Sequence, residues 1–167
     1  MTQEPSNKIR VLLVDDEEDL TTFLSHRLTK QGMSVVATGS GAEAIEEAEK
    51  RHFDVAVVDL KMPGMDGIEC MERLKEIRPF LETIMLTGHG SYESALDAGK
   101  LRTFRYLIKP YEFDELLEQI RDAREARKAK MDEGFREESR ELSQMPGLTP
   151  RELMRRQEEL LRKYERS

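Results

Sequence analysis

Between Lys8 and Ile120 the chain repeats one alternation five times: a short apolar run rich in β-branched residues, then a segment whose apolar positions recur at helical spacing. The runs are Lys8 to Val14, Ser34 to Thr38, Asp54 to Val58, Thr83 to Leu86 and Thr103 to Ile108. Runs of this length bounded by turn residues read as buried strands. Leu20, Phe23, Leu24 and Leu28 set a first helix, which Gly32 closes. Ala44, Ile45 and Ala48 set a second, opened by the capping-box spacing of Ser40 and Glu43. Cys70, Met71, Leu74 and Ile77 set a third, capped by Asp66 and ended by Pro79. Ser91 is placed to cap a weaker fourth helix running to about Lys100, and Phe113, Leu116, Leu117 and Ile120 define a fifth. Strands alternating with helices across short connections predict an α/β fold, a parallel sheet covered on both faces by right-handed crossovers.

This alternation uses most of a chain of 167 residues, enough for one core with an appendage. The expected division is a disordered stretch over 1–7, a globular domain over 8–122, a charged helical extension or linker over 123–148 and a terminal helix within 149–167. Charged residues make up 37% of the chain, and Arg121 to Glu141 is dense in both signs. Residues 1–120 carry a formal charge of −9 and the remainder +2, so the acidity belongs to the domain. The net charge of the whole chain, −7, argues against nucleic acid as the main partner, since phosphate binding needs a concentrated basic surface. Met145-Pro146-Gly147 is a break. Thr149-Pro150-Arg151-Glu152 then combines capping-box spacing with Pro at the first helical position. The terminal helix is expected over about Pro150 to Tyr164, with Leu153, Met154, Leu160, Leu161 and Tyr164 on one side, docked on the domain or on a partner helix. The single Cys70 excludes an intramolecular disulfide and a Cys-based zinc cluster, and reads as a buried, inert thiol. Without a signal-peptide pattern or an apolar run near the ~18 residues of a spanning helix, the expected location is cytoplasmic, with no membrane insertion.

Ligands of open α/β sheets bind outside the carboxyl ends of the strands. Asp15 and Asp16 follow the first predicted strand, Asp59 ends the third, Thr87 the fourth and Lys109 the fifth. Clustered carboxylates repel unless a cation lies among them, and hard oxygen donors suit Mg²⁺. A carboxylate beside Mg²⁺ can attack a phosphoryl group as nucleophile, with a lysine and a hydroxyl holding the phosphoryl oxygens. Asp59 is the nucleophile in that reading. Singly, each residue also has a structural reading: helix-capping acids, a strand-end hydroxyl, a solvated lysine. Nothing structural demands them all at one edge.

Val14-Asp15-Asp16-Glu17, the stretch Val57-Val58-Asp59-Leu60-Lys61-Met62-Pro63-Gly64-Met65-Asp66-Gly67, Leu86-Thr87-Gly88-His89-Gly90 and Tyr106-Leu107-Ile108-Lys109-Pro110 stand in this order, each after a strand. Over about Lys8 to Arg121 the chain resembles the receiver domains of bacterial two-component response regulators. The resemblance implies a flavodoxin-like, doubly wound five-stranded parallel sheet of order 2-1-3-4-5 with five helices, here with a C-terminal helical extension. It implies that Asp59 accepts a phosphoryl group, that Asp15, Asp16, Asp59 and the Lys61 backbone carbonyl bind Mg²⁺, and that Thr87 and Lys109 hold the phosphoryl oxygens. Tyr106 resembles the family's switch aromatic, Lys61 and His89 occupy positions that tune acyl-phosphate hydrolysis, and Lys109-Pro110 is expected to be cis. The implied donor is a histidine kinase or a histidine phosphotransfer protein. The chain would be a phosphoacceptor rather than an enzyme. Its output would be a contact with a downstream protein or a homodimer, because nothing after Ile120 resembles a DNA-binding, ATPase or cyclase domain. Where receivers read Gly-Ala-aromatic-Asp before the switch aromatic, Arg102-Thr103-Phe104-Arg105 stands, which alters the surface beside the fifth strand. Two other readings remain: a receiver-like scaffold that is never phosphorylated, and an Mg²⁺-dependent aspartyl phosphatase. The adjacency of Asp15 and Asp16 speaks against the phosphatase, whose acids are spaced Asp-x-Asp.

Overall fold

Strands that are apolar at successive positions present apolar side chains on both faces of a sheet, and helices on each side bury them. A computed structural model describes residues 7–97 and 105–167. The elements run β1 (Arg10–Val14), α1 (Glu18–Lys30), β2 (Ser34–Thr38), α2 (Gly41–Lys50), β3 (Val55–Asp59), α3 (Gly67–Ile77), β4 (Glu82–Thr87), α4 (His89–Asp97), β5 (Arg105–Ile108), α5 (Phe113–Gln144) and α6 (Pro150–Glu165). The five strands are parallel in the order β2-β1-β3-β4-β5. Leu12, Val14, Ala56, Val58 and Met85 pack with Ala44 and Ala48 of α2 and Cys70, Met71 and Leu74 of α3. The alternate residues Val11, Leu13, Val55, Val57, Ile84 and Leu86 pack with Leu24 and Leu28 of α1 and Leu116, Leu117 and Ile120 of α5. Cys70 is fully buried, and burial pushes its thiol up to about 12, which keeps it inert.

Caps sit where the side chains predict: Ser40 accepts from the Glu43 N–H, Asp66 from the Glu69 N–H and Thr149 from the Glu152 N–H. Gly32 takes a φ of +83°, the left-handed turn that releases the chain from α1. At Gly67 the constraint is space. A Cβ there would lie 2.4 Å from the Asp59 carbonyl oxygen and 2.8 Å from Leu60 Cα, so the first turn of α3 crosses directly over the end of β3.

Four expectations need correction. The fourth helix begins at His89 rather than after a Ser91 cap, with Gly88 in front of it, an accepted capping residue. Its expected end near Lys100 lies outside the described residues, as do Arg102, Thr103 and Phe104. The fourth strand begins at Glu82, whose buried carboxylate pairs with Lys130. Phe23 is 56% exposed, because Thr21, Leu24 and Leu28 occupy the buried side of α1 and Phe23 is turned off it beneath the Arg27 guanidinium. Met154 and Leu161 are 64% and 48% exposed; Leu153, Gln157, Leu160 and Tyr164, at true helical spacing, form the inner side of α6.

The stretch after Ile120 is helix. α5 runs 32 residues without interruption, and its inward stripe continues from Leu116, Ile120 and Ala123 through Arg127 to Gly134, Glu138 and Leu142. α6 folds back antiparallel along the second half of that stripe. Arg156 meets Met145 near the turn, while Tyr164 reaches Gly134, Phe135 and Glu138. Where α5 leaves the sheet, Arg127 and Arg10 hold Asp54 at 3.3 and 3.0 Å. Burial raises the Asp54 carboxyl, but the hydrogen bonds from Arg10 and the charge of Arg127 outweigh it and hold the group below its ordinary 3.8.

Two outcomes test this frame. Gly67→Ala is expected to lose about 2–3 kcal/mol in urea unfolding, because the opposing atoms are backbone and cannot move aside. Asp54→Asn is expected to lose about 3 kcal/mol at neutral pH by leaving Arg127 buried without its counter-charge. A depressed carboxyl stabilises the fold above its ordinary pKa and loses that contribution as pH falls through the folded value. The difference between wild type and Asp54→Asn should therefore hold from neutral pH down to about 4 and shrink only as pH falls below that.

Candidate functional site

Parallel pairing brings the carboxyl ends of β1, β3, β4 and β5 to one edge, and each end delivers a polar side chain. β3 pairs with β1 through Val58 and Val14, so Asp59 and Asp15 emerge side by side. Asp15, Asp16 and Asp59 each offer a carboxylate oxygen, and the three atoms lie within 4.8 Å of one another. Asp59 is 6% exposed and Asp15 5%, while Asp16 is open to solvent. Lys109 Nζ reaches Asp59 Oδ2 at 3.3 Å, and the Lys61 N–H approaches Asp59 Oδ1 at 3.3 Å.

Asp15 is fixed from two sides. Its N–H donates to the Thr38 carbonyl at 3.1 Å, and its Oδ1 accepts the Glu17 N–H at 2.9 Å. Its Oδ2 is buried and has no hydrogen-bond partner. Burial pushes the Asp15 carboxyl up to about 6; the Asp59 charge adds to this, and the Glu17 N–H and Lys109 oppose it. A buried acceptor beside two other acids and one lysine is an arrangement short of positive charge. Hard carboxylate oxygens so grouped, one of them orphaned, fit a divalent cation of the Mg²⁺ type.

Thr87 is buried at the end of β4, its hydroxyl donating to the Gly88 carbonyl at 3.2 Å. Tyr106 on β5 is 39% exposed. Lys61 and His89 are exposed at the rim, on the loop after β3 and at the start of α4. The Lys109-Pro110 bond is cis. Beside Asp59 opens a groove of ≈ 870 Å³, lined among others by Lys61, Met62, Ile68, Gly88 and Ser91.

Three residues at this edge escaped the reading of the sequence. Thr38 is buried, donates its hydroxyl to the Leu13 carbonyl and braces the end of β1; its place at a strand's end was the available signal. Gly67 carries no reactive group, and its role follows only from how closely α3 crosses Asp59. Tyr111 is half-buried near the acids, its phenol raised by burial and by the charges of Asp15 and Asp59. Nothing in its sequence neighbourhood marks that approach.

Comparison with known proteins agrees with this geometry. The family described as response regulator receiver domain matches residues 11–121. The transcriptional regulatory protein GlrR of Escherichia coli K12 is 36% identical over 137 residues, which cover 82% of this chain and 30% of GlrR. The chain thus spans less than a third of the length of that relative. A response regulator receiver domain protein from Clostridium thermocellum superposes with a TM-score of 0.67 at 30% identity, covering 72% of this chain and 98% of its own. A CheY-like receiver domain protein from Methanospirillum hungatei does so with a TM-score of 0.67 at 27% identity, covering 74% and 99%. With the sheet order, the four strand-end motifs and the family match in agreement, the chain belongs to the response regulator receiver domain family.

Proposed function

We propose that this chain is a phosphorylatable switch: Asp59 takes a phosphoryl group from a phosphohistidine of a histidine kinase or phosphotransfer protein, and the domain responds by changing a protein contact. The observation that supports this most is the confinement of Asp59 at the sheet edge, with Lys109 on one oxygen and Asp15 and Asp16 beside it. In the transfer an Asp59 oxygen forms a bond to phosphorus as the bond from phosphorus to imidazole nitrogen breaks, and the electron pair stays on that nitrogen. Lys109 offsets the charge on the phosphoryl oxygens. Asp15, Asp16, Asp59 and the Lys61 carbonyl would hold Mg²⁺, which supplies positive charge beside those oxygens when bound. The Thr87 hydroxyl leaves the Gly88 carbonyl for a phosphoryl oxygen, and Tyr106 turns from its exposed position into the space vacated. Lys61 and His89 at the rim control the approach of water to the acyl phosphate.

The chemistry resides in 8–122, and the helical stretches 123–148 and 149–167 serve the output, which is a contact with a protein and not with nucleic acid. The protein works in the cytoplasm beside its donor, as a phosphoacceptor and not as a turnover enzyme. Among the described residues no helix is long and apolar enough to cross a membrane.

Incubation with acetyl phosphate and Mg²⁺ is expected to add the mass of one phosphoryl group to the wild type and none to Asp59→Asn. Lys109→Ala should be labelled about a hundredfold more slowly. Beryllofluoride should change the Tyr106 environment only when Asp59 is present. Absence of any Asp59-dependent change in mass or in Tyr106 would sink the switch and leave the scaffold reading. In a separate measurement, millimolar Mg²⁺ should raise the unfolding temperature of the wild type and leave that of Asp15→Asn unmoved, since ligands that bind only the native state stabilise it.

A further inference from the structure

The chain beyond the sheet is held in two unlike ways. Up to Lys130, α5 is fixed: Leu116, Ile120 and Ala123 are fully buried, Arg127 pairs with Asp54, and Lys130 pairs with Glu82. From Gly134 onward α6 packs along it, and of the 16 residues of α6 only Tyr164 is buried. Its ring lies 5.5 Å from that of Phe80 on the turn into β4 and 5.6 Å from that of Phe135 on α5. The Tyr164 hydroxyl donates to Glu138 at 2.6 Å, and Lys163 holds both Glu138 oxygens at 2.7 Å. At Gly134 a Cβ would lie 2.6 Å from the Tyr164 hydroxyl oxygen, so the tyrosine occupies a notch that glycine leaves in the helix.

That glycine also weakens α5 just where α6 sits, because a helical glycine carries a large entropy cost. The distal half of α5 therefore depends on α6 for its order, and α6, a short helix, depends on α5. α6 begins with its own capping box, behind a reversal in which Gly147 takes a φ of +84°. Along the distal half of α5 and its C-cap residue, Met131, Phe135, Glu138, Leu142 and Met145 recur at intervals of four and three, the spacing of a seam that receives another helix. The present occupant defines what that seam accepts: a bulky aromatic hydroxyl in the Gly134 notch and a cation beside Glu138.

We propose that residues 131–165 form a separately opening unit in which α6 is a strap latched by Tyr164. Its release presents the 131–145 seam of α5 to a partner helix carrying an aromatic hydroxyl and a cation against Glu138. The inference concerns the end of the sheet remote from Asp59 and does not depend on phosphorylation.

Hydrogen exchange on the full chain tests it. Amides of 131–165 are expected to exchange about tenfold or more faster than those of β1, β3 and β4, as a unit that opens without global unfolding. Tyr164→Ala should remove protection from 131–165 alone, and Tyr164→Phe, which keeps the ring, should remove only part of it. A synthetic peptide of residues 149–167 added to the Tyr164→Ala chain should restore protection over 131–145. Exchange of 131–165 in step with the central strands would overturn the proposal. Loss of protection across 10–87 in Tyr164→Ala would overturn it as well, as would a peptide that restores nothing.

Discussion

β3 is buried along its whole length and ends in a carboxylate, and most of the molecule is a response to that. An ionised group at the tip of a strand enclosed on both sides is costly unless charge of the other sign is near. The two ends of the sheet meet this demand differently. At the amino end, Asp54 before β3 and Glu82 on β4 face Arg10, Arg127 and Lys130, so positive charge is in excess and the chain neutralises itself. At the carboxyl end, Lys109 pairs with Asp59, Asp15 and Asp16 lie beside it, and one buried oxygen of Asp15 has no partner. The first arrangement carries its own counter-charges and reads as structure, although Arg127 Nε is buried there with no hydrogen-bond partner. The second is complete only with something added, which is why the carboxyl end reads as the site.

α5 shows one helix performing two tasks with one stripe. Its first part closes the apolar face shared with α1, where the Arg27 guanidinium lies 3.8 Å over the ring of Phe113. Its second part carries the same stripe past the sheet, where a helix polar on every side would not be stable alone. α6 covers that overhang. The ion pairs at Asp54 and Glu82 mark the crossing, fixing the direction in which α5 leaves the domain and therefore where α6 can return.

Much of this could be read from the residues, and the failures have physical causes. Strands came through clearly because their apolar runs are short and bounded. Even so, β4 starts one residue earlier than its apolar pattern suggests, because Glu82 gains a counter-ion from a helix 48 residues away. The acids, Thr87 and Lys109 were legible because parallel topology turns separate strand ends into one edge. Thr38, Gly67 and Tyr111 were not, since bracing, close approach and facing charge are properties of folded distances. The inner side of α6 was misjudged by taking every apolar residue for a buried one. Met154 and Leu161 lie away from the line through Leu153, Gln157, Leu160 and Tyr164, and only a helix wound on a known partner reveals which line is inward.

The position of α6 also limits how the two ends can be related. Tyr164 meets the domain at Phe80, before β4, while Thr87 closes β4 at its other end. A strand of six residues spans roughly 20 Å. At that separation α6 does not cover the acidic edge, so it cannot act by blocking access to Asp59. Any influence of one end on the other has to pass through β4 or along α5, both packed elements. A buried strand transmits little unless it has two discrete arrangements to move between. α5 has the better claim: its first turn follows Lys109 and Pro110 at the site, and its distal half carries the seam that α6 occupies. The residues that join chemistry to contact are therefore to be sought on α5, between the lysine beside Asp59 and the glycine beneath Tyr164.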